Sequence, residues 1–205
     1  MAARFISFEG IDGSGKSTQL RLLADHLRAK GHSVLATREP GGADGAEAIR
    51  KLLLEGETGR WSAKTEILLF TAARRDHLER TIQPALARGD IVLCDRFADS
   101  TRVYQGAANP ELREMVDRLH ELMIGVDPEL TLILDLDPLE ALSRTQARGL
   151  GGDRFEGRGL DFQHRLRDGF QSLAGEFPER CEIIPASDPG PDIARKIRDT
   201  VEKRL

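Results

Sequence analysis

Phe8-Glu9-Gly10-Ile11-Asp12-Gly13-Ser14-Gly15-Lys16-Ser17-Thr18 contains a glycine, four residues, then Gly-Lys-Ser, the full phosphate-loop pattern. The preceding Arg4-Phe-Ile-Ser-Phe-Glu9 reads as a short buried strand, and the residues after it put Leu20, Leu23, Ala24 and Leu27 at helical spacing. Strand, glycine turn and helix together give the pattern its chemistry. The glycines let the backbone turn its N–H groups toward phosphate oxygens, and the helix start adds unpaired N–H groups and its dipole. Gly10 to Thr18, including Ile11, Asp12, Gly13, Ser14 and Gly15, is therefore the expected nucleoside-triphosphate site. Lys16 is expected at the β/γ-phosphates and the Ser17 hydroxyl at Mg²⁺.

The rest of the composition narrows the class. The 205 residues suit one α/β domain spanning 1–205, and the formal net charge of −4 disfavours a surface for polymeric nucleic acid. Cys94 and Cys181 are too few and too far apart for a disulfide framework or a zinc site. Cys94, inside Ile91-Val-Leu-Cys, reads as a small buried residue. No apolar run reaches membrane-spanning length and no signal-peptide core is present, so a cytoplasmic protein with no membrane partner is expected.

Strand-like runs recur at Ser33–Thr37, Ile91–Asp95, Leu130–Asp135 and Cys181–Pro185, separated by helical patterns. Arg38-Glu39-Pro40-Gly41-Gly42 leaves the second strand at its C-terminal end, the edge where open α/β sheets bind ligands. A helix is expected over Gly45–Glu55 and a longer one over Lys64–Arg88, with Pro84 as a bend or interruption. In that longer stretch Phe70 and Arg74 share a helical face, which by itself reads first as a core phenylalanine and a surface arginine. Asp95 ends its strand either as a metal-shell carboxylate or as a cap for the next helix. Ser100 with Tyr104, and Thr101 with Gln105, line adjacent helical faces. Gly149–Gly159 holds five glycines and two arginines and is read as the core of a phosphate-closing lid at about 148–159.

Taken in order, five stretches resemble the thymidylate kinases, a branch of the nucleoside-monophosphate kinase family. They are Phe8–Thr18, Thr37-Arg-Glu-Pro-Gly-Gly42, Leu69-Phe-Thr-Ala-Ala-Arg74, Asp95-Arg-Phe97 and Ser100-Thr-Arg-Val-Tyr-Gln-Gly106, and the resemblance covers nearly the whole chain. It implies a P-loop NTPase fold: a five-stranded parallel sheet, order 2-3-1-4-5, flanked by helices. It also implies transfer of a phosphoryl group from MgATP to dTMP, in dTTP synthesis for DNA replication, by a homodimer. Phe70 would then stack on thymine, Arg74 would hydrogen-bond the acceptor nucleotide, and Thr101 and Gln105 would read polar edges of the base, with Ser100 in the same site. Arg38 and Arg96 would hold the 5′-phosphate, and Tyr104 would exclude a 2′-hydroxyl. Asp12 would sit between donor and acceptor, and Ser17 and Asp95 would hold Mg²⁺, through water at least in part. Arg144 would flank adenine with the Pro185-Ala186-Ser187 loop, and the peptide before Pro40 would be cis.

The catalytic set so implied is Lys16, Asp12, Arg96, Arg154 and Arg148. Another branch of the family has an arginine directly after the loop aspartate; here that position is Gly13, which turns attention to lid arginines 148, 154 and 158, with Glu156 as the lid carboxylate. Other readings start from the same loop. A different small-molecule kinase would lack the Phe70–Tyr104 pairing, and a switch GTPase would need an Asn-Lys-x-Asp segment that this sequence does not contain.

Overall fold

A computed structural model describes residues 4–57, 59–106, 109–147 and 159–205. The first strand, β1 (Phe5–Glu9), is buried at all five positions and lies at the centre of the sheet. It is flanked by β3 (Ile91–Asp95) and β4 (Leu130–Asp135), with β2 (Val34–Arg38) and β5 (Cys181–Pro185) at the edges. All pairings are parallel and the order is 2-3-1-4-5, as expected. The central strands are near-continuous apolar runs because both faces are covered by helices, whereas the edge strand β2 has no fully buried position and β5 mixes buried with open ones. The buried Ser7 is not left unpaired: its hydroxyl lies 3.0 Å from that of Thr131 on the neighbouring strand.

Helix α1 (Lys16–Ala29) follows the loop and buries Leu20, Leu23, Ala24 and Leu27 against Ile6, Phe8 and Leu132. Each of the three leucines contributes roughly 1.5–3 kcal/mol by leaving water. The helix start is a left-handed Gly15 with φ 95°. On the other face, α2 (Asp44–Leu54) and α3 (Ala63–His77) pack together. Ser62 caps α3 by accepting from Thr65 N. No side chain of its own cap residue, Ala43, serves α2; instead Asp76 of α3 accepts from Ala46 N at 2.9 Å.

The long Lys64–Arg88 pattern divides into three. α3 is followed by a π-helical turn, Leu78–Ile82, and then by α4 (Gln83–Arg88). Pro84 lacks an N–H and its ring crowds the preceding turn, so the chain widens there rather than breaking. The remaining helices are α5 (Ala98–Tyr104), α6 (Pro110–Met123), α7 (Pro138–Ala147), α8 (Leu160–Glu176) and α9 (Gly190–Glu202). No helix among the described residues is long and apolar enough to cross a membrane.

Asp95 is in register with both Phe8 and Arg38, so β1, β2 and β3 end at one level. The glycine loop, the Arg38–Gly42 turn and the Asp95–Phe97 turn therefore emerge side by side.

Candidate active site

Two clefts open at this strand edge. One, about 510 Å³, is lined by Phe70, Arg74, Phe97, Ser100, Thr101, Tyr104 and Gln105. The other, about 950 Å³, is lined by the loop residues Gly13 to Thr18 other than Ser14, with Arg38, Arg50, Asp95 and Thr145. Asp12, Glu39, Pro40, Leu54 and Arg96 line both, so the two are joined.

Arg96 occupies the junction. Among the described residues it is the one non-glycine with positive φ, 71°. That conformation costs on the order of 1–3 kcal/mol and persists only where its surroundings hold it. They do so on both sides. Arg96 N donates to Phe8 O, and Phe97 N donates to Glu9 Oε1 at 2.7 Å. The resulting turn aims the guanidinium inward, where Nη1 donates to Gly10 O (3.1 Å) and Ser100 Oγ (2.9 Å). Nη2 donates to Asp12 Oδ1 (2.5 Å) and Tyr104 Oη (3.1 Å). The Tyr104 hydroxyl in turn donates to Asp12 Oδ2 at 3.1 Å.

These contacts set the charge states. Burial alone would raise the Asp12 carboxyl, but the Arg96 guanidinium and the Lys16 ammonium outweigh it and lower it to about 2. Asp12 is thus a fixed anion and a poor proton acceptor. Burial pushes the Tyr104 phenol well above its usual range, so it stays a neutral donor. Burial and the positive Arg96 bring the Lys16 ammonium down to about 8, while its Nζ donates to Gly10 O (3.1 Å) and Ile11 O (2.8 Å). Glu9 is pushed up to about 7 by burial and by the nearby Asp99. It also accepts from Ser100 Oγ at 2.5 Å, which makes it the brace of the Arg96 turn.

Ser17 Oγ donates to Asp95 Oδ2 at 2.5 Å, bringing a hydroxyl and a carboxylate together beside the loop lysine. Such hard oxygen donors suit Mg²⁺, which takes one or two protein oxygens and completes its shell with phosphate and water. Gly13 turns at φ 83° against α7, where an added Cβ would lie 2.4 Å from Ala141 O and 2.8 Å from Thr145 Oγ1. The loop is thus pressed onto α7 with no room for a side chain.

The family model described as Thymidylate kinase matches residues 8–197. The chain belongs to the thymidylate kinase family. A thymidylate kinase of Jannaschia sp. (strain CCS1) is 62% identical over 205 residues, covering 100% of this chain and 99% of the relative. One from Ruegeria pomeroyi is 59% identical over 201 residues, covering 98% and 95%. Among solved structures, the thymidylate kinase from Ehrlichia chaffeensis matches with a TM-score of 0.77 at 35% identity, covering 98% of this chain and 99% of that one. The fold is accordingly the P-loop NTPase fold, and the protein is a kinase.

The thymidylate kinase motifs converge at the clefts: residues from all five stretches line them, including Lys16, Arg38, Arg74, Arg96 and Tyr104. Two side chains differ from the plainest reading of the sequence. Arg74 is not a surface residue: it is buried, its Nε held by Glu39 Oε2 (2.7 Å) and its Nη2 by Thr101 Oγ1 (2.8 Å) and Phe97 O. Arg38 is half exposed and bonds Glu47 at 2.9 Å at the cleft rim. Arg144 lies elsewhere, bonding Glu140 and Ala186 O, beside the loop named with it. The Glu39–Pro40 bond is cis. Arg148, Arg154, Glu156 and Arg158 lie outside the described residues. The sequence reading missed Glu9, Glu39, Arg50 and His77. Arg50 faces the cleft and donates to Pro40 O at 2.6 Å. A lone acid at the end of the apolar run Phe5-Ile-Ser-Phe was the available signal for Glu9.

Proposed function

We propose that this member of the thymidylate kinase family phosphorylates dTMP to dTDP with ATP, the acceptor lying in the Phe70–Tyr104 cleft and the donor phosphates in the loop cleft. The observation that carries the acceptor assignment is the pairing of Arg74 with Gln105. Gln105 Oε1 is buried without a hydrogen-bond partner among the described residues, and Arg74 Nη1 is the guanidinium nitrogen with none. A buried orphan acceptor beside a donor costs stability unless a ligand completes it. Thymine presents an N–H next to a carbonyl, the matching pair, while Phe70 offers it a ring face.

The acceptor oxygen is a phosphate monoester, mostly ionised near neutral pH since its second pKa is about 6. No strong general base is needed, in keeping with an Asp12 held as a fixed anion. Catalysis rests on bringing two polyanions together: Arg96, Arg38 and Arg50 line the acceptor-phosphate side, and Lys16 and the loop N–H groups the donor side. Mg²⁺ held by Ser17 and Asp95 would neutralise donor-phosphate charge. Asp12 orients Arg96 and Tyr104 toward the same point. Arg148 and Arg154 are proposed as further cations on the transferring group.

We also infer a homodimer. Leu122, Met123 and Leu68 on α6 and α3 are 75%, 50% and 51% exposed, and Arg75, seven residues from Leu68, donates to Met123 O. This apolar surface on two packed helices suits a second copy. A cytoplasmic location accords with a nucleotide-phosphorylating role.

Tyr104 supplies a direct test of the acceptor pose. Truncation to alanine removes the ring beside Arg96 and opens space where a 2′-hydroxyl would fall. The kcat/KM preference for dTMP over its ribonucleotide should drop about tenfold or more in Tyr104→Ala. An unchanged preference would assign the ring to packing alone.

A further inference from the structure

His77, the last residue of α3, is completely buried one turn beyond Arg74. Its Nδ1 meets Glu39 Oε1 at 3.1 Å and its Nε2 meets Thr37 Oγ1 at 2.8 Å. Glu39 gives its other oxygen to Arg74 Nε, so Thr37, His77, Glu39 and Arg74 form one buried chain. The loop backbone is pressed onto the same ring: a Cβ on Gly42 would lie 2.3 Å from His77 Nε2. In the π-helical turn that follows, Thr81 Oγ1 donates to Gly42 O at 2.8 Å. α3 and its continuation thus grip the 37–42 loop at both ends, while α3 also supplies Phe70 and Arg74 to the acceptor cleft.

We propose that His77 is a positioning residue for base selection: by fastening Glu39 and Thr37 to α3 it fixes the direction of Arg74 and the spacing between the base wall and the phosphate-side loop. The inference rests on the acceptor reading above. Thr101 Oγ1 and Phe97 O hold Arg74 Nη2. Glu39 holds Nε and so fixes the remaining direction in which Nη1 can donate to a carbonyl, and Glu39 is held by His77. Without the ring nitrogens, Glu39 Oε1 and Thr37 Oγ1 lose buried partners, and the carboxylate is free to turn.

The test compares dTMP with dCMP, whose base carries an amino donor where thymine has a carbonyl. In His77→Phe the dTMP-over-dCMP ratio of kcat/KM should fall about tenfold or more, with KM for dTMP raised and KM for ATP within about twofold of wild type. Asparagine and glutamine divide the two contacts. The His77→Asn amide overlays Nδ1 and can still donate to Glu39, so it should retain most of the ratio. The His77→Gln amide overlays Nε2, reaches Thr37 instead, and should not. If His77→Phe does not fold, the asparagine and glutamine variants decide alone. Equal ratios in these two, or a KM for ATP that rises in step with that for dTMP, would overturn the positioning role. A wild-type enzyme that does not prefer dTMP over dCMP would instead sink the acceptor reading.

Discussion

Replacing Arg96 by alanine should lower kcat/KM for dTMP about a thousandfold. The guanidinium joins Gly10 O, Ser100, Asp12 and Tyr104 at one point, and no other side chain lining the clefts makes that set of contacts. Its loss leaves the Asp12 carboxylate facing the acceptor phosphate with only the Lys16 ammonium, 3.9 Å away, as counter-charge, so attraction at that point gives way toward repulsion. Both KM for dTMP and kcat should suffer, because the same group binds the acceptor and offsets charge as phosphate oxygens approach. Arg96→Lys should recover little, since one ammonium cannot span four acceptors held by a planar fork. Steady-state kinetics with dTMP varied at saturating ATP would measure both variants. A loss below tenfold would remove Arg96 from the reaction centre.

Gly13 leads to the second large effect. Placing an arginine there would seem to supply the loop cation that this sequence lacks. The fold forbids it. The residue adopts φ 83°, and its Cα faces the α7 backbone at a distance that a Cβ cannot meet. Even Gly13→Ala combines left-handed strain of about 1–2 kcal/mol with overpacking of about 1–3 kcal/mol. Against a typical domain stability of about 5–15 kcal/mol that is a large fraction. Gly15 is the control: it has φ 95° but open space around its Cα, so Gly15→Ala carries the backbone cost alone. Denaturant midpoints should rank wild type, Gly15→Ala and Gly13→Ala in falling order, with Gly13→Arg lowest and no gain in kcat. A Gly13→Arg protein as stable as wild type would show that α7 yields readily.

The first third of the architecture was legible because its signals are local. Gly10 to Lys16 fixes a strand, a turn and a helix within about 25 residues, and the sheet order accompanied the family motifs. The groups that hold the site were not legible, since their partners are distant in sequence. Glu9 reaches Ser100, His77 reaches Thr37 and Glu39, and Asp76 caps α2 from another helix. Arg74 is the instructive case: helical spacing gave its face correctly, but only tertiary pairing with Glu39 explains how a guanidinium is buried there. Likewise Pro84 signalled an interruption, whereas the π turn that absorbs it depends on the packing of Leu78 and Ile82 into the core.

The central claim is that the Phe70–Gln105 cleft selects thymine on a deoxyribose phosphate for phosphorylation by ATP. ADP release measured with equal concentrations of dTMP, dCMP, dAMP, dGMP and the thymine ribonucleotide tests it most directly. The account predicts that dTMP exceeds every other acceptor in kcat/KM by about tenfold or more. Comparable turnover with dAMP or dGMP, or with the ribonucleotide, would contradict it.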